Sequence, residues 1–535
     1  MASTQTQLSA SNQKTAVQAN SAQPAGSLEQ AIDFSVEAAE LTSQKSAAIA
    51  HGPTLQIPPG SPTTFTQIIH RATQQHPTRE IVFIKPDGSE HIQTYATLKT
   101  QAERLLAGLR SLSLQPGDLV ILYAVDRDFI AAFWACIIGG FVPVPLTPNP
   151  KRQAETEAKL KHAWNTLKQP LILASASLLT DKTLDVSSTE ISGSTVSGST
   201  VSGSTVSGST ATIATIDDLI THEPAHDWHP SQPADLAYLV MSSGTTGTPK
   251  VVEMSHHHVT TRFIRGYQRK LDLTRENILL NWLPFSHSAG LQVVRPQWDR
   301  VIYVQTEAVL QNPLLWLDTI EQYGVTNVTL PNFALGLIVE KLALAAENGE
   351  GKSWKLSHLR RIGVSTEAIV PKTARLFAEQ LFPYGLKPNA LCPTYSMSEV
   401  GAITSANRWS ATDIQEGDRL VVVGEPDQGC SIRIVNEHQQ LLSEGETGQI
   451  QAYSPAMSPG YYRDPDRTAG VFTADGWFKT GDLGFLQQGQ LTVTGRHKEL
   501  IIINGRNYHS TEIEAVVEGI DGLEKGYTAA CATRS

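Results

Sequence analysis

Between positions 238 and 250 the chain reads Tyr-Leu-Val-Met-Ser-Ser-Gly-Thr-Thr-Gly-Thr-Pro-Lys. A short apolar run, suited to a buried strand, breaks into hydroxyls, two glycines and a lysine. Gly244 and Gly247 can take positive φ and let the backbone approach a ligand closely. The amides and hydroxyls of Ser242, Ser243, Thr245, Thr246 and Thr248 can then surround phosphate oxygens, and Lys250 adds positive charge. The spacing is not that of a Walker A loop. A Ser/Thr/Gly-rich hairpin loop has much the same composition, so these residues alone leave both readings open.

Further blocks follow. Positions 281–290 read Asn-Trp-Leu-Pro-Phe-Ser-His-Ser-Ala-Gly, and 391–399 read Leu-Cys-Pro-Thr-Tyr-Ser-Met-Ser-Glu. Positions 475–485 read Asp-Gly-Trp-Phe-Lys-Thr-Gly-Asp-Leu-Gly-Phe, and 495–498 Gly-Arg-His-Lys. In this order and spacing the chain resembles the adenylate-forming superfamily of acyl-CoA synthetases, luciferases, fatty acyl-AMP ligases and peptide-synthetase adenylation domains. The resemblance covers roughly residues 60–535. The wording after 500, Ile-Ile-Ile-Asn-Gly-Arg-Asn-Tyr, is nearest to fatty acyl-AMP ligases and to loading adenylation domains of polyketide and peptide assembly lines.

The resemblance implies roles residue by residue. The loop from Ser242 through Lys250 would hold ATP phosphates, with Thr245 and Lys250 taking part in catalysis. Tyr395 would stack on adenine, Ser398 would bond the α-phosphate, and Glu399 would hold Mg²⁺. Asp482 would accept from the ribose diol, although an aspartate capping a turn is the plainer reading of it. Arg496 would touch ribose or phosphate, and Lys498 stands at the hinge about which a small C-terminal lobe swings. The family's Gly-rich turn beside the adenine is replaced by Val364-Ser365, and its Tyr-Gly pair by Tyr395-Ser396.

His287 matches the histidine that borders the acyl pocket, with Ala289 and Gly290 leaving room beside it; a satisfied core histidine is the plainer alternative. Amino-acid-activating relatives carry an aspartate in this block to pair with the α-ammonium group. Here the neighbours are Ser286, Ser288 and Ala289. A buried ammonium without a counter-charge is costly, so the expected substrate is a fatty or aryl-alkanoic acid without an α-amine. The expected acceptor is a phosphopantetheine thiol, on a carrier protein rather than on free CoA. An acyl-CoA synthetase, an amino-acid adenylation domain and a non-catalytic nucleotide-binding remnant are the alternatives.

The elements that must position these residues read as α/β. At 535 residues the chain needs several subdomains. The segment 65–69 is helical, 81–85 a strand, Asp87-Gly88 a hairpin turn, 95–112 an amphipathic helix and 119–123 a strand. Strands alternating with helices imply parallel sheets covered on both faces, and a period of two over 421–462 implies a small β-barrel. The apolar run 129–145 is interrupted by Gly139-Gly140 and two prolines, which fits a buried helix and core strand rather than a membrane span. The domain expectation is a flexible leader and linker over 1–62, a large lobe over 63–494, and the hinge with the start of a small mobile lobe over 495–535. Within the leader, a peripheral helix from Ser27 is expected.

A net charge of −10, spread along the chain, argues against a nucleic-acid partner. Four scattered cysteines, Cys136, Cys392, Cys430 and Cys531, fit a reducing cytoplasm. Adjacent His256, His257 and His258 diverge on helix or strand and lack the spacing of metal ligands. The Ser-Gly-Ser-Thr-Val repeat within 187–211 has too little apolar surface to offset its ordering entropy, so a flexible surface loop is expected over a β-solenoid. The family's late C-terminal lysine has no counterpart except Lys525, which sits too early, so the chain reads as a fragment of a longer synthase rather than a truncated, impaired protein.

Overall fold

The computed structural model describes residues 46–496 except 150–152, 181–193, 197–198, 207–208, 243–249, 271–275, 297 and several positions within 406–419. Beyond 496 it describes 500–503, 506–509 and four single positions. The expected leader up to residue 45 with its helix, the whole loop over 243–249, Lys498, Lys525 and Cys531 lie outside the described residues.

Two α/β sheets and one curled antiparallel sheet are the large sheets of the described residues, beside three two-stranded ones. In the first, Val142–Pro145, Leu119–Tyr123, Leu171–Ala174 and Ser209–Thr215 lie side by side in parallel. The helix Asp126–Gly139 packs here with every residue from Phe129 to Gly139 buried, which explains its uniformly apolar sequence. Asp126 and Asp128 occupy its first turn, where acids suit the helix dipole. Gly140 ends it at φ 74, a conformation glycine adopts without strain. Among the described residues no helix is long and apolar enough to cross a membrane.

The second sheet runs in the order Leu391–Pro393, Arg361–Val364, Asn327–Leu330, Ile278–Asn281, Arg300–Val304, Glu80–Ile84 and Glu90–Thr94. All neighbours are parallel except the last, which returns through the Asp87-Gly88 turn. The chain leaves Ile278–Asn281, forms the neighbour on one side, then crosses to form the neighbour on the other. That reversal is a topological switch point, and in an open α/β sheet a ligand usually binds at the carboxyl ends of the strands there, here beyond Ile278–Asn281. The 281–290 block begins there.

The third sheet is antiparallel, in the order Ile49–His51, Ser431–Val435, Gly448–Tyr453, Phe478–Gln487, Gln490–Arg496, Val422–Pro426 and Thr404–Ser405. It curls until the backbone after its first strand meets its sixth. A Cβ built on Gly52 would lie 2.0 Å from the Asp427 carbonyl oxygen. Ile49–His51 falls inside the stretch expected as leader and linker. It pairs with Ser431–Val435 because its backbone satisfies an otherwise open sheet edge.

The repeat also departs from expectation. Ser199–Val206 and Ser209–Thr215 form an antiparallel hairpin, with Ser194–Val196 added outside it. Its base is templated by Leu171–Ala174, and the β-branched Thr-Val pairs of the repeat suit extended backbone. A last hairpin, Leu500–Ile503 with Arg506–His509, follows the third sheet.

Candidate active site

Strands Leu236–Ser242 and Lys250–Ser255 form an antiparallel hairpin whose terminal pair is Ser242 with Lys250. The intervening loop, with Ser243, Gly244, Thr245, Thr246, Gly247 and Thr248, lies outside the described residues. Its two ends are fixed, and Lys250 projects from the second. The Lys250 ammonium stands 3.8 Å from Glu399 Oε1. Beside both stands Tyr461, a residue the sequence reading did not single out. Its hydroxyl donates to Glu399 Oε1 at 2.8 Å and accepts from Lys250 Nζ at 3.3 Å. Burial, and then the adjacent carboxylate, push the phenol's proton affinity far up, so it stays a donor.

The loop carrying Glu399 is held from behind by a buried cation. Arg262, on the helix His256–Lys270, donates to the carbonyl oxygens of Ala456, Ser398 and Glu399 at 3.0, 2.9 and 3.2 Å. Burial lowers its pKa to about 10, so it remains charged at neutral pH. One turn on, Arg265 reaches Ser454 Oγ, the Ala402 carbonyl and Asp427. Neither arginine belongs to a recognisable block; the only hint was two cations, i and i+3, on a helix face shared with buried Val259 and Thr261.

A second cluster joins the ends of two other blocks. Tyr395 donates its phenol proton to Asp482 Oδ2 at 2.5 Å, and Arg496 Nε lies 3.2 Å from Asp482 Oδ1. The strand Phe478–Gln487 turns its Thr480-Gly481-Asp482 step with Gly481 at φ 80, and the Thr480 hydroxyl accepts from the Asp482 amide. Burial, and then Asp482, raise the Tyr395 pKa well above its usual value. The tyrosine is thus tied by its hydroxyl while its ring remains a flat apolar face.

The 281–290 block is a tight turn. A Cβ on Gly290 would lie 2.0 Å from the Pro284 carbonyl oxygen, so only glycine fits. Asn281 Nδ2 donates to the Gly290 carbonyl at 3.3 Å, and His287 Nδ1 accepts from the Ala289 amide at 3.1 Å. Desolvation by the surrounding turn lowers the His287 pKa, although the residue as a whole is exposed. Ala289 packs against the core of the second sheet. Ser288 Oγ accepts from Ser398 Oγ at 3.3 Å, bringing this block against the loop of Tyr395 and Glu399.

Buried Val364 ends its strand and accepts from the Thr394 amide. Just after Val364-Ser365, Thr366 takes φ 84, a costly value for a β-branched residue. The nearby Glu367 carboxylate accepts from the Phe333 amide at 2.6 Å, at the start of the helix Asn332–Glu347.

The three histidines are engaged separately: His256 Nδ1 accepts from the Phe65 amide at 2.9 Å, and His258 bonds the Ser255 hydroxyl. Among the described residues no group of three or more His, Cys, Asp or Glu is placed to hold a metal.

The chain is 32% identical to the adenylation domain of a keto acid-selecting NRPS module, a structure bound to keto acyl adenylate. The match covers 91% of this chain and 92% of that one, with a TM-score of 0.76. Fatty acyl-adenylate ligases from E. coli and L. pneumophila match at 25% identity and TM-score 0.73, over 87% of this chain and 84% of the other. An atromentin synthetase of Paxillus involutus is 27% identical over 89% of this chain and 49% of its own length. The chain thus spans about half the length of the curated relatives it matches. Residues 69–462, a continuous stretch containing the hairpin, Glu399 and Tyr461, match the AMP-binding enzyme family, and the chain belongs to that family of adenylate-forming ligases.

Proposed function

We propose that this chain condenses a carboxylic acid lacking an α-amine with ATP, giving an acyl-adenylate and pyrophosphate, and passes the acyl group to a phosphopantetheine thiol of a carrier protein. One observation carries the reading: the Ser288–Ser398 hydrogen bond sets the uncharged 281–290 block directly against the loop of Glu399. An acid seated in the switch-point crevice would meet a nucleotide held by that loop. Likeness to a keto acid-selecting domain adds 2-oxo acids to the fatty and aryl-alkanoic acids.

In the first step a carboxylate oxygen forms a bond to the α-phosphorus as the bond to the β-phosphate oxygen breaks. In the second, the thiol sulfur bonds the acyl carbon and AMP leaves. The residues position and stabilise charge rather than form covalent intermediates. Lys250 and the 243–249 loop take the phosphates, Ser398 the α-phosphate, and Asp482 with Arg496 the ribose, while the Tyr395 ring meets the adenine. His287, Ala289, Gly290 and Val364 border the acyl chain. Glu399, whose second carboxylate oxygen makes no hydrogen bond among the described residues, fits a divalent ion; Mg²⁺ there would offset phosphate charge. The domain assignment is a large lobe over 63–494 and a mobile lobe from 495, hinged at Lys498.

The test is mass-spectrometric detection of acyl-adenylates formed with Mg-ATP and a panel of acids. It includes medium and long fatty acids, phenylacetic, cinnamic and phenylpyruvic acids, and phenylalanine. An adenylate from an acid without an α-amine is the expected result. A phenylalanyl-adenylate in preference to the others would overturn the reading of the 281–290 block.

A further inference from the structure

We propose that Tyr461 is a positioning residue that keeps Lys250 and Glu399 from closing to a direct hydrogen bond, so that one stays available to phosphate and the other to a divalent ion. The proposal rests on the roles just given to those two residues.

The geometry is a triangle, with the hydroxyl bonded to both charged groups from one side. Lys250 Nζ and Glu399 Oε1 are 3.8 Å apart, whereas a direct ammonium–carboxylate hydrogen bond closes to about 2.8 Å. Tyr461 Oη stands beside the pair as donor to one and acceptor from the other, and so competes with each for its partner. The ammonium also lies 5.3 Å from the centre of the Tyr461 ring, an attraction that holds it on the tyrosine side. The arrangement uses Oε1 alone, and the 12% exposed carboxylate keeps its second oxygen for a ligand.

Tyr461 is fixed to the strand that bears Lys250. Its neighbour Tyr462 donates its amide to the Val251 carbonyl at 2.8 Å, and the Glu253 amide donates to the Gly460 carbonyl at 3.1 Å. The Tyr461 amide donates to Thr468 Oγ1 at 3.0 Å. Gly460, at φ 150, lies where a Cβ would come 2.5 Å from Thr468 Cγ2, so the backbone seats tightly against that side chain. The hydroxyl therefore has a set height above Lys250. A phenylalanine would keep the ring in its core position and remove only the hydroxyl, leaving the two charges free to close on each other.

The test measures Mn²⁺ binding by electron paramagnetic resonance at saturating α,β-methylene-ATP, and the Mg²⁺ dependence of acyl-adenylate formation, on the full chain. For Tyr461→Phe, Mn²⁺ affinity is expected to fall about tenfold, the scale of one hydrogen bond to a charged group. Adenylation should recover at high Mg²⁺, with kcat within about twofold of the parent. In a Lys250→Met background the same change should cost less than about twofold, because no ammonium remains to close on Glu399. An equal loss in both backgrounds, an unchanged affinity, or a kcat loss that Mg²⁺ does not relieve would each overturn the proposal. If Tyr461→Phe fails to fold, Tyr461→His, which keeps a ring donor and acceptor, should hold Mn²⁺ within about threefold of the parent; a tenfold loss overturns it. Parent protein that binds no Mn²⁺ with nucleotide removes the metal role of Glu399 and the proposal together, whereas normal parent binding with an unaffected Tyr461→Phe removes the proposal alone.

Discussion

Acid should loosen this protein through His256. The ring is 2% exposed and accepts the Phe65 amide at Nδ1, so it must be neutral in the folded state. Burial lowers its pKa from 6.5 to about 4. The unfolded chain takes up this proton as pH falls through 6.5 and the folded chain does not, so the contribution is full above pH 6.5 and is lost toward pH 4. Between pH 7.5 and 5.0 the loss from this one residue is about 2 kcal/mol. Protonation would also put a positive charge at the amino end of the helix His256–Lys270, where the helix dipole opposes it. His256→Asn keeps an acceptor at the Nδ1 position and cannot titrate. Urea unfolding of both proteins at the two pH values should show the parent losing about 2 kcal/mol more than the variant. Hydrogen exchange at the Phe65 amide should accelerate at pH 5.0 in the parent beyond its intrinsic pH dependence. Equal losses in parent and variant would refute the argument, because the acid sensitivity would then lie elsewhere.

Three further outcomes are expected. Arg262→Met leaves the Ala456 and Ser398 carbonyls without their donor, at about 1–3 kcal/mol each, and urea unfolding should show a loss of that order together with slower adenylation. Asp482→Asn removes the charged acceptor of Tyr395 and the partner of Arg496. It should raise the KM for ATP about tenfold or more while leaving the KM for the acid within about twofold, as steady-state kinetics would show. Gly290→Ala must move the Pro284 carbonyl from 2.0 Å to at least 3.4 Å from the new Cβ to reach ordinary contact, and should cost about 3 kcal/mol of stability by chemical denaturation.

Much of the site was legible because its residues lie in short continuous blocks whose local chemistry is unusual. A glycine-rich hydroxyl loop, the 391–399 turn and the Thr-Gly-Asp step all announce themselves within ten residues. The helix at 126–139 and the strand at 142–145 were legible from length and interruption alone. What the sequence hid are partners set by tertiary contact. Tyr461 meets Glu399 across 62 positions and Lys250 across 211, and nothing in Gly-Tyr-Tyr-Arg predicts either. The edge strand Ile49–His51 was missed because a three-residue strand carries no period, and its stability comes from the open edge of Ser431–Val435. In the repeat, weak apolar content argued for a loop, but backbone pairing onto an existing strand needs little side-chain burial.

The two buried arginines show where the fold spends stability on position. Arg262 and Arg265 leave one helix and bond the carbonyls of 398, 399 and 402, all in the Glu399 loop, and also the 454–456 turn of the curled sheet. An apolar pair of the same volume would pack as well without the cost of desolvating two guanidinium groups. It would not, however, fix the direction of three peptide planes at once. Because the Ser398 and Glu399 carbonyls point back to Arg262, the Glu399 side chain is directed forward to Tyr461 and Lys250. The 454–456 turn, held by the same helix, leads directly into the 458–461 segment that carries Tyr461. One helix thus sets the distance between the carboxylate and the hydroxyl that holds it, and a change at Arg262 should move both partners rather than one.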